Sequence, residues 1–183
     1  MITKRRLSLV FFCVAALSVA GVGPASAKVF LSADEALALA FPGCVVERQT
    51  VFLSDAQRKR AEKLAEAPLE SALVYPYRGI CDGKLAGVAY FDIHRVRTLP
   101  ERLMVVVDPT GKIARIEVLT FDEPRDYKPK DGWYGQFIAK GDAGELRLGE
   151  GIHKIAGATL TGRATAAAAR RVVAIHRVLN ESP

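Results

Sequence analysis

The sequence predicts an α+β fold, in which an antiparallel sheet of hairpins packs against one long C-terminal helix, with a small helical cover at the N-terminus. Two features of the chain indicate the sheet and the long helix. Short β-branched runs alternate with turn residues between positions 71 and 120, as in consecutive hairpins. An alanine-rich stretch with helical spacing of its apolar residues then occupies positions 162–180.

Residues 1–27 have the pattern of an export signal. Basic residues at positions 4–6 precede an apolar run over 7–20, and Ala25-Ser26-Ala27 offers small residues for cleavage. The apolar run is short for a spanning helix, which needs about 20 residues. We therefore expect a mature chain that starts at Lys28 in the periplasm or another extracytoplasmic compartment. An uncleaved membrane anchor is the alternative interpretation.

The mature chain has the length of one domain and a modest positive charge. The signal contains three of the 26 basic residues and none of the 20 acidic ones, so the net charge falls from +6 to about +3. Basic and acidic residues are interleaved, as in the stretch 58–63, and no stripe of basic and aromatic residues is present. We therefore expect no nucleic-acid partner.

The predicted N-terminal cover, residues 28–70, contains two capped helices and one strand. The first helix is predicted over Ala36–Phe41 and ends at Pro42-Gly43, the strand over Val45–Leu53, and the second, charged helix ends near Ala67. A capping box precedes each helix; the two pairs are Ser32 with Glu35 and Ser54 with Gln57.

Hairpins dominate the predicted main unit, residues 71–183, which we expect to form one compact body with the cover. Asp82-Gly83 favours a tight hairpin turn, and Asp108–Gly111 provides a second turn. Polar and apolar residues alternate in the last strand, so one of its faces meets a core. The predicted strands are Ala72–Tyr77, Gly87–Ile93, Leu103–Val107 and Ile113–Thr120.

Cys44 and Cys81 are the two cysteines that remain after cleavage. In an oxidising compartment we expect them to form a disulfide between the cover and the first hairpin, and the chain-entropy estimate of its stabilisation is at most about 4 kcal/mol. Two separate buried thiols are the alternative. The three histidines are widely spaced and no cysteine–histidine cluster is present, so no metal site is predicted.

The segment just before the long helix has the composition of a phosphate-binding loop. Gly157 and Ala158 are small and allow a large ligand to approach the backbone, and Thr159 offers a hydroxyl. Thr161 is a predicted N-cap, after which the helix would direct free N–H groups and its positive end toward the loop. Such an arrangement favours a phosphate, although ordinary helix capping is the alternative interpretation.

A long connection, Phe121–Lys140, lies between the hairpins and this segment and is rich in aromatic residues. Trp133 and Phe137 are four residues apart, so they could pin a short helix to the core. The functional alternative is that the loop covers a flat aromatic ligand.

The run Ala156–Thr161, preceded by Leu148–His153, resembles the flavinylation segment of the FMN-binding domain family. That family includes the periplasm-facing subunits of Rnf complexes and of the sodium-translocating NADH:quinone reductase. In it, the last threonine of a Ser/Thr-Gly-Ala-Thr run carries FMN through a phosphoester bond that a separate flavin transferase makes. The resemblance implies that Thr159 is the attachment residue. The cofactor-binding residues it implies are Gly157, Ala158, Leu160, Thr161, Glu123 and Trp133.

The resemblance implies an exported flavoprotein that carries FMN and relays electrons between a donor and an acceptor, with a membrane redox complex as a candidate partner. No catalytic acid, base or nucleophile for a diffusing substrate is visible, so an electron carrier is expected rather than a stand-alone enzyme. Two positions differ from the family pattern, His153 in place of Asp and Ala156 in place of Ser or Thr. The alternative interpretation is a periplasmic binding or structural domain that has lost the flavin.

Overall fold

The computed structural model describes residues 28–181. The predicted export signal, residues 1–27, lies outside the described residues. Among the helices of residues 28–181, none combines the length and the apolar character that crossing a membrane requires.

The described chain forms eight strands, four α-helices and two short 3-10 turns. The strands are β1 (Lys28–Val29), β2 (Val45–Arg48), β3 (Val51–Phe52), β4 (Leu73–Val74), β5 (Tyr77–Cys81), β6 (Lys84–Arg95), β7 (Pro100–Val107) and β8 (Ile113–Phe121). The helices are α1 (Ala33–Ala40), α2 (Asp55–Ala65), α3 (Asp131–Tyr134) and α4 (Thr159–Asn180), and the 3-10 turns are Arg125–Tyr127 and Gly135–Phe137.

The main sheet of the described chain is antiparallel, with six strands in the order β1-β8-β7-β6-β5-β2. The turn between β5 and β6 is Asp82-Gly83, and both residues have positive φ, 50° and 75°. These angles are those of a type I′ turn, whose twist matches that of the strands. The predicted α+β fold, with a sheet of hairpins and a long C-terminal helix, is therefore confirmed.

Two strands that were predicted as single runs are each broken in the structure. The run Val45–Leu53 splits into β2, which pairs with β5, and β3, which pairs with β4. The run Ala72–Tyr77 splits in the same way at Pro76, which has no N–H for a ladder. The Pro76 carbonyl accepts a hydrogen bond of 2.8 Å from Gln49 N, so the chain leaves one ladder and enters the next at this point.

The two edge strands of the main sheet, β1 and β2, both come from the N-terminal part of the described chain. β1 pairs with β8 at one edge and β2 pairs with β5 at the other. Both predicted capping boxes are present at the starts of α1 and α2. A disulfide joins Cys44, just before β2, to Cys81, the last residue of β5, with their Cα atoms 4.5 Å apart. It therefore ties the β2 edge to the first hairpin.

The sheet separates two helical layers. Because side chains alternate between the faces of a strand, Ala89, Met104 and Val106 pack against α1, while Val88, Leu103 and Val105 pack against α4. Alanines on α4 allow it to lie close to the sheet, and α2 packs on the outer side of α4. The predicted apolar stripe of α4 is confirmed, with Ala168 and Val172 in the core and Ile175 and Leu179 partly buried against it.

Candidate functional site

The N-terminus of α4 lies at a shallow depression in the surface. The depression has a volume of about 200 Å³. Small-molecule pockets usually have volumes of about 300–1,000 Å³, so this depression is too small for a whole ligand of that kind and suits one end of a large ligand. Its lining residues are Arg97, Tyr127, Gly157, Ala158, Thr159, Leu160 and Thr161. The structure therefore brings the predicted segment 157–161 to one place and adds Arg97 and Tyr127.

Helix α4 begins at Thr159, so the prediction that Thr161 is its N-cap was wrong. Ala158 occupies the N-cap position, and no side chain of the described residues caps it. Thr161 is fully buried, and its hydroxyl donates a hydrogen bond of 2.5 Å to the Tyr127 carbonyl. The hydroxyl that could have capped the helix instead fastens it to the aromatic connection.

Thr159 presents an accessible hydroxyl at this helix end. The residue is exposed, and its Oγ1 lies 3.4 Å from the Ile155 carbonyl, a long hydrogen bond that leaves the oxygen's lone pairs free. The first N–H groups of a helix have no acceptor within it. The first turn reads Thr-Leu-Thr-Gly and so carries no carboxylate that would offset the positive end of the helix.

The small size of Gly157 and Ala158 predicted that both leave room for a ligand, but the structure gives each residue a different role. Gly157 has φ of +81°, and a Cβ built on it would meet no atom of the described chain within 4 Å. Its requirement is therefore conformational, since most other residues avoid that backbone region. Ala158 is only 4% exposed, so its methyl group packs against protein. Leu160, in contrast, is 45% exposed at the rim.

Arg97 is a site residue that sequence reasoning missed. It lies in the turn between β6 and β7, and its guanidinium carbon is 5.0 Å from the centroid of the Tyr127 ring. The residue is far from Thr159 in the sequence, and only the packing of α4 on the sheet brings the two to one depression. The turn has no Asn-Gly or Asp-Gly pair that would have marked it as a hairpin turn.

Glu123 does not line the depression but is hydrogen-bonded to the turn that carries Arg97. Its Oε1 accepts hydrogen bonds from three backbone N–H groups, those of Thr98 at 2.7 Å, Leu99 at 2.9 Å and Arg97 at 3.2 Å. The side chain is only 6% exposed. The hydrogen bonds from Leu99 and Thr98 lower the pKa of Glu123, so it is a carboxylate at neutral pH. Glu123 therefore holds the turn that presents Arg97.

Trp133 supports the site segment from the inside. Its Nε1 donates a hydrogen bond of 2.9 Å to the His153 carbonyl. Its ring lies against Gly162, where an added Cβ would be 3.3 Å from the indole, and it packs edge to face on Phe137. The indole is nearly buried, so Trp133 fixes the position of the segment before α4.

A larger cavity of about 480 Å³ lies near the other end of α4, beside His176 and Arg177. At 1.5 Å per helical residue, His176 is about 25 Å from Thr159 along the axis. Four charged residues of its lining, Asp142, Glu145, Arg177 and Glu181, have protein partners; for example, Arg177 lies 2.7 Å from Asp142. Its size alone therefore does not make it the candidate site.

Residues 100–174 match the model of the FMN-binding domain family. The match runs from β7 into α4 and includes Tyr127 and the segment 157–161, while Arg97 lies just before it. No curated protein and no solved structure matches the chain. The depression combines an exposed hydroxyl, uncapped helical N–H groups and a cation, and this set of groups suits a phosphate. The family match therefore identifies residues 100–174 as an FMN-binding domain, with FMN as its cofactor.

Proposed function

We propose that the protein is an exported flavoprotein that carries FMN on Thr159 through a phosphoester bond and relays electrons between redox partners. One observation carries the attachment site: an exposed hydroxyl stands at the uncapped start of α4, within the FMN-binding domain. The other hydroxyl of the segment, on Thr161, is buried and already donates to a carbonyl.

Attachment requires an activated FMN donor and a transferase. Thr159 Oγ1 forms the new bond to the FMN phosphorus, the bond from phosphorus to the donor's leaving group breaks, and the hydroxyl proton is released. The resulting phosphodiester carries one negative charge. The positive end of α4 favours such a charge by about 0.3–1 kcal/mol at an exposed site.

The shape of the site supports an electron carrier. FMN supplies one-electron and two-electron redox chemistry, while the protein attaches and orients it. The depression is shallow and holds only part of the cofactor, so the ring system would remain near the surface and within reach of partner proteins. The signal pattern of residues 1–27 supports maturation by a flavin transferase outside the cytoplasm and exchange of electrons with partners at or near the membrane.

The two departures from the family pattern do not alter the depression. His153 and Ala156 are both exposed and lie outside its lining. The backbone of His153 performs a structural role, since its carbonyl accepts from Trp133 and its N–H donates 2.8 Å to the Gln136 side chain. The two departures therefore leave in place the lining residues that the proposal uses.

Co-expression with a flavin transferase tests the proposal. The purified protein is denatured, and flavin fluorescence on a gel and the mass of the modified peptide are measured. We expect covalent flavin in the wild type and in Thr161→Val, which keeps the shape of that side chain, and none in Thr159→Ala. Covalent flavin in Thr159→Ala would contradict the attachment site, and a colourless wild-type protein would support the flavin-free alternative.

A further inference from the structure

We propose that Arg97 is the cation that recognises the FMN phosphate and that Glu123 is the residue that positions it. The inference rests on the proposed function, because it requires the phosphate to lie at Thr159. It goes beyond the family match, since Arg97 precedes the matched residues 100–174.

The turn that carries Arg97 is fixed by several hydrogen bonds. Val96 N donates 3.1 Å to the Leu99 carbonyl and so closes the turn, with Arg97 and Thr98 at its tip. The Glu123 carboxylate accepts the N–H groups of three consecutive residues of this turn and also lies 3.3 Å from the Thr98 hydroxyl. Hydrogen bonds to a charged acceptor are about twice as strong as neutral ones.

The side chain of Arg97 is directed by Tyr127. Its guanidinium lies over the Tyr127 ring, where a cation is attracted by the electron-rich face. The Tyr127 carbonyl in turn accepts a hydrogen bond from the buried hydroxyl of Thr161 on α4. Glu123 thus holds the turn of Arg97, Arg97 lies over Tyr127, and Tyr127 bonds Thr161. This series of contacts connects the turn to the helix that presents Thr159.

The charges around the depression favour an anion. Arg97 is its one charged lining residue among those described, and the positive end of α4 faces the same space. A guanidinium binds phosphate oxygens through two parallel hydrogen bonds, which a lysine ammonium cannot reproduce. Arg163, a cation in the first turns of α4, is exposed and lies outside the lining. Arg97 therefore has the position and chemistry to distinguish FMN from riboflavin, which lacks the phosphate.

The test measures this discrimination without covalent attachment. Protein with Thr159→Ala is titrated with FMN and with riboflavin, and Kd is obtained from quenching of flavin fluorescence. We expect tighter binding of FMN. Adding Arg97→Gln should raise the Kd for FMN by about 10-fold or more, as expected for the loss of a charge-assisted hydrogen bond of roughly 1.5–3 kcal/mol. The Kd for riboflavin should not change. Arg97→Lys should recover part of the preference, and Arg163→Gln is the matched control.

Glu123→Gln tests the positioning role. It keeps an acceptor for the turn but removes its charge, so we expect the ratio of riboflavin Kd to FMN Kd to fall toward that of Arg97→Gln. Thermal unfolding of each variant is measured in parallel. A Glu123 role limited to stability would lower Tm and leave the ratio unchanged, which would overturn the positioning role.

The inference and the proposed function fail in different ways. Equal Kd values for FMN and riboflavin, or no measurable binding of either, overturn the role of Arg97. An FMN preference that survives Arg97→Gln does the same, even if wild-type protein carries covalent flavin on Thr159. Covalent flavin in a Thr159→Ala protein with Arg97 intact overturns the attachment site instead.

Discussion

His94 Nε2 lies 3.0 Å from a carboxylate oxygen of Glu101, which is completely buried between the sheet and α4. The other ring nitrogen of His94 lies 2.9 Å from Asp92, and Asp92 is bonded to Arg171 at 2.7 Å. Thr165 on α4 donates 3.3 Å to Glu101. Two carboxylates and two cationic side chains therefore join β6, β7 and α4 in the interior.

We expect His94 to make the protein less stable at alkaline pH. Burial alone would lower the pKa of His94, but the hydrogen bonds and charges of Asp92 and Glu101 outweigh burial and raise it to about 9. The unfolded value is about 6.5, so the stabilisation is complete below that pH and is lost as pH rises through about 9. The free energy of unfolding should fall by roughly 3 kcal/mol between these values.

Urea unfolding at a series of pH values measures this slope. His94→Gln should flatten the slope between about pH 6.5 and about pH 9. It should also destabilise the protein by about 3–5 kcal/mol at neutral pH, because it leaves Glu101 buried without its cation. An unchanged slope in His94→Gln would contradict the assignment.

His176 should show the opposite dependence on pH. Burial lowers the pKa of His176, and the hydroxyl of Tyr90 lies 3.0 Å from its Nδ1. Burial also raises the pKa of Tyr90, so the phenol keeps its proton, and we expect it to donate to the unprotonated Nδ1 of a neutral imidazole. The unfolded chain binds a proton near pH 6.5 and the folded chain does not, so stability falls as pH drops below about 6.5.

Ring nitrogen chemical shifts in NMR spectra distinguish the two histidines directly. At neutral pH we expect His94 as the imidazolium and His176 as the neutral imidazole protonated on Nε2. The assignments are checked by His94→Gln and His176→Gln, each of which removes one set of signals. A protonated His176 at neutral pH would contradict the prediction.

The Cys44–Cys81 disulfide should contribute to stability. The two residues are 37 apart in sequence. For a loop of this length the chain-entropy estimate is about 4 kcal/mol at most, and measured values are often lower. We expect Cys44→Ser with Cys81→Ser to lower the urea midpoint of the unreduced protein. Alkylation of unreduced, denatured wild-type protein should find no free thiol at either position, and modification of both would contradict the bond.

Local signals predicted much of the fold. The two capping boxes and the Asp82-Gly83 turn depend on residues within four positions of one another, so sequence alone indicates them. The pairing of β1 with β8 and the break at Pro76 depend on contacts between distant segments. Strand propensity does not contain that information, because it describes a pleated, half-buried surface rather than a partner.

In the candidate site, too, sequence reasoning used local signals and missed contacts between distant segments. Thr159 was predicted because its segment is contiguous and has a family pattern. Arg97 was missed because its neighbour in space, Tyr127, is far from it in sequence. Thr161 was predicted to be a cap, yet its hydroxyl bonds the Tyr127 carbonyl, a partner that exists only after α4 has packed on the aromatic connection. Tertiary contacts therefore decide where the side chains of Arg97 and Thr161 lie.

Gly157→Ala should impair the site through backbone conformation alone. Gly157 has φ of +81° and open space where a Cβ would stand, so the substitution introduces no clash with the described chain. The left-handed region costs an L-residue about 1–2 kcal/mol, and Asn tolerates it better than Ala. We expect Gly157→Ala to lower the free energy of unfolding by about 1 kcal/mol, and Gly157→Asn by less. Gly144→Ala is the control, because that residue has neither a positive φ nor a described atom near its Cβ position.

The segment before α4 would shift to relieve the strain and move the Thr159 hydroxyl, so the yield of covalent flavin should decrease in the same order, Ala more than Asn. Equal stability and equal flavin yield in Gly157→Ala and Gly144→Ala would show that the left-handed turn is not required.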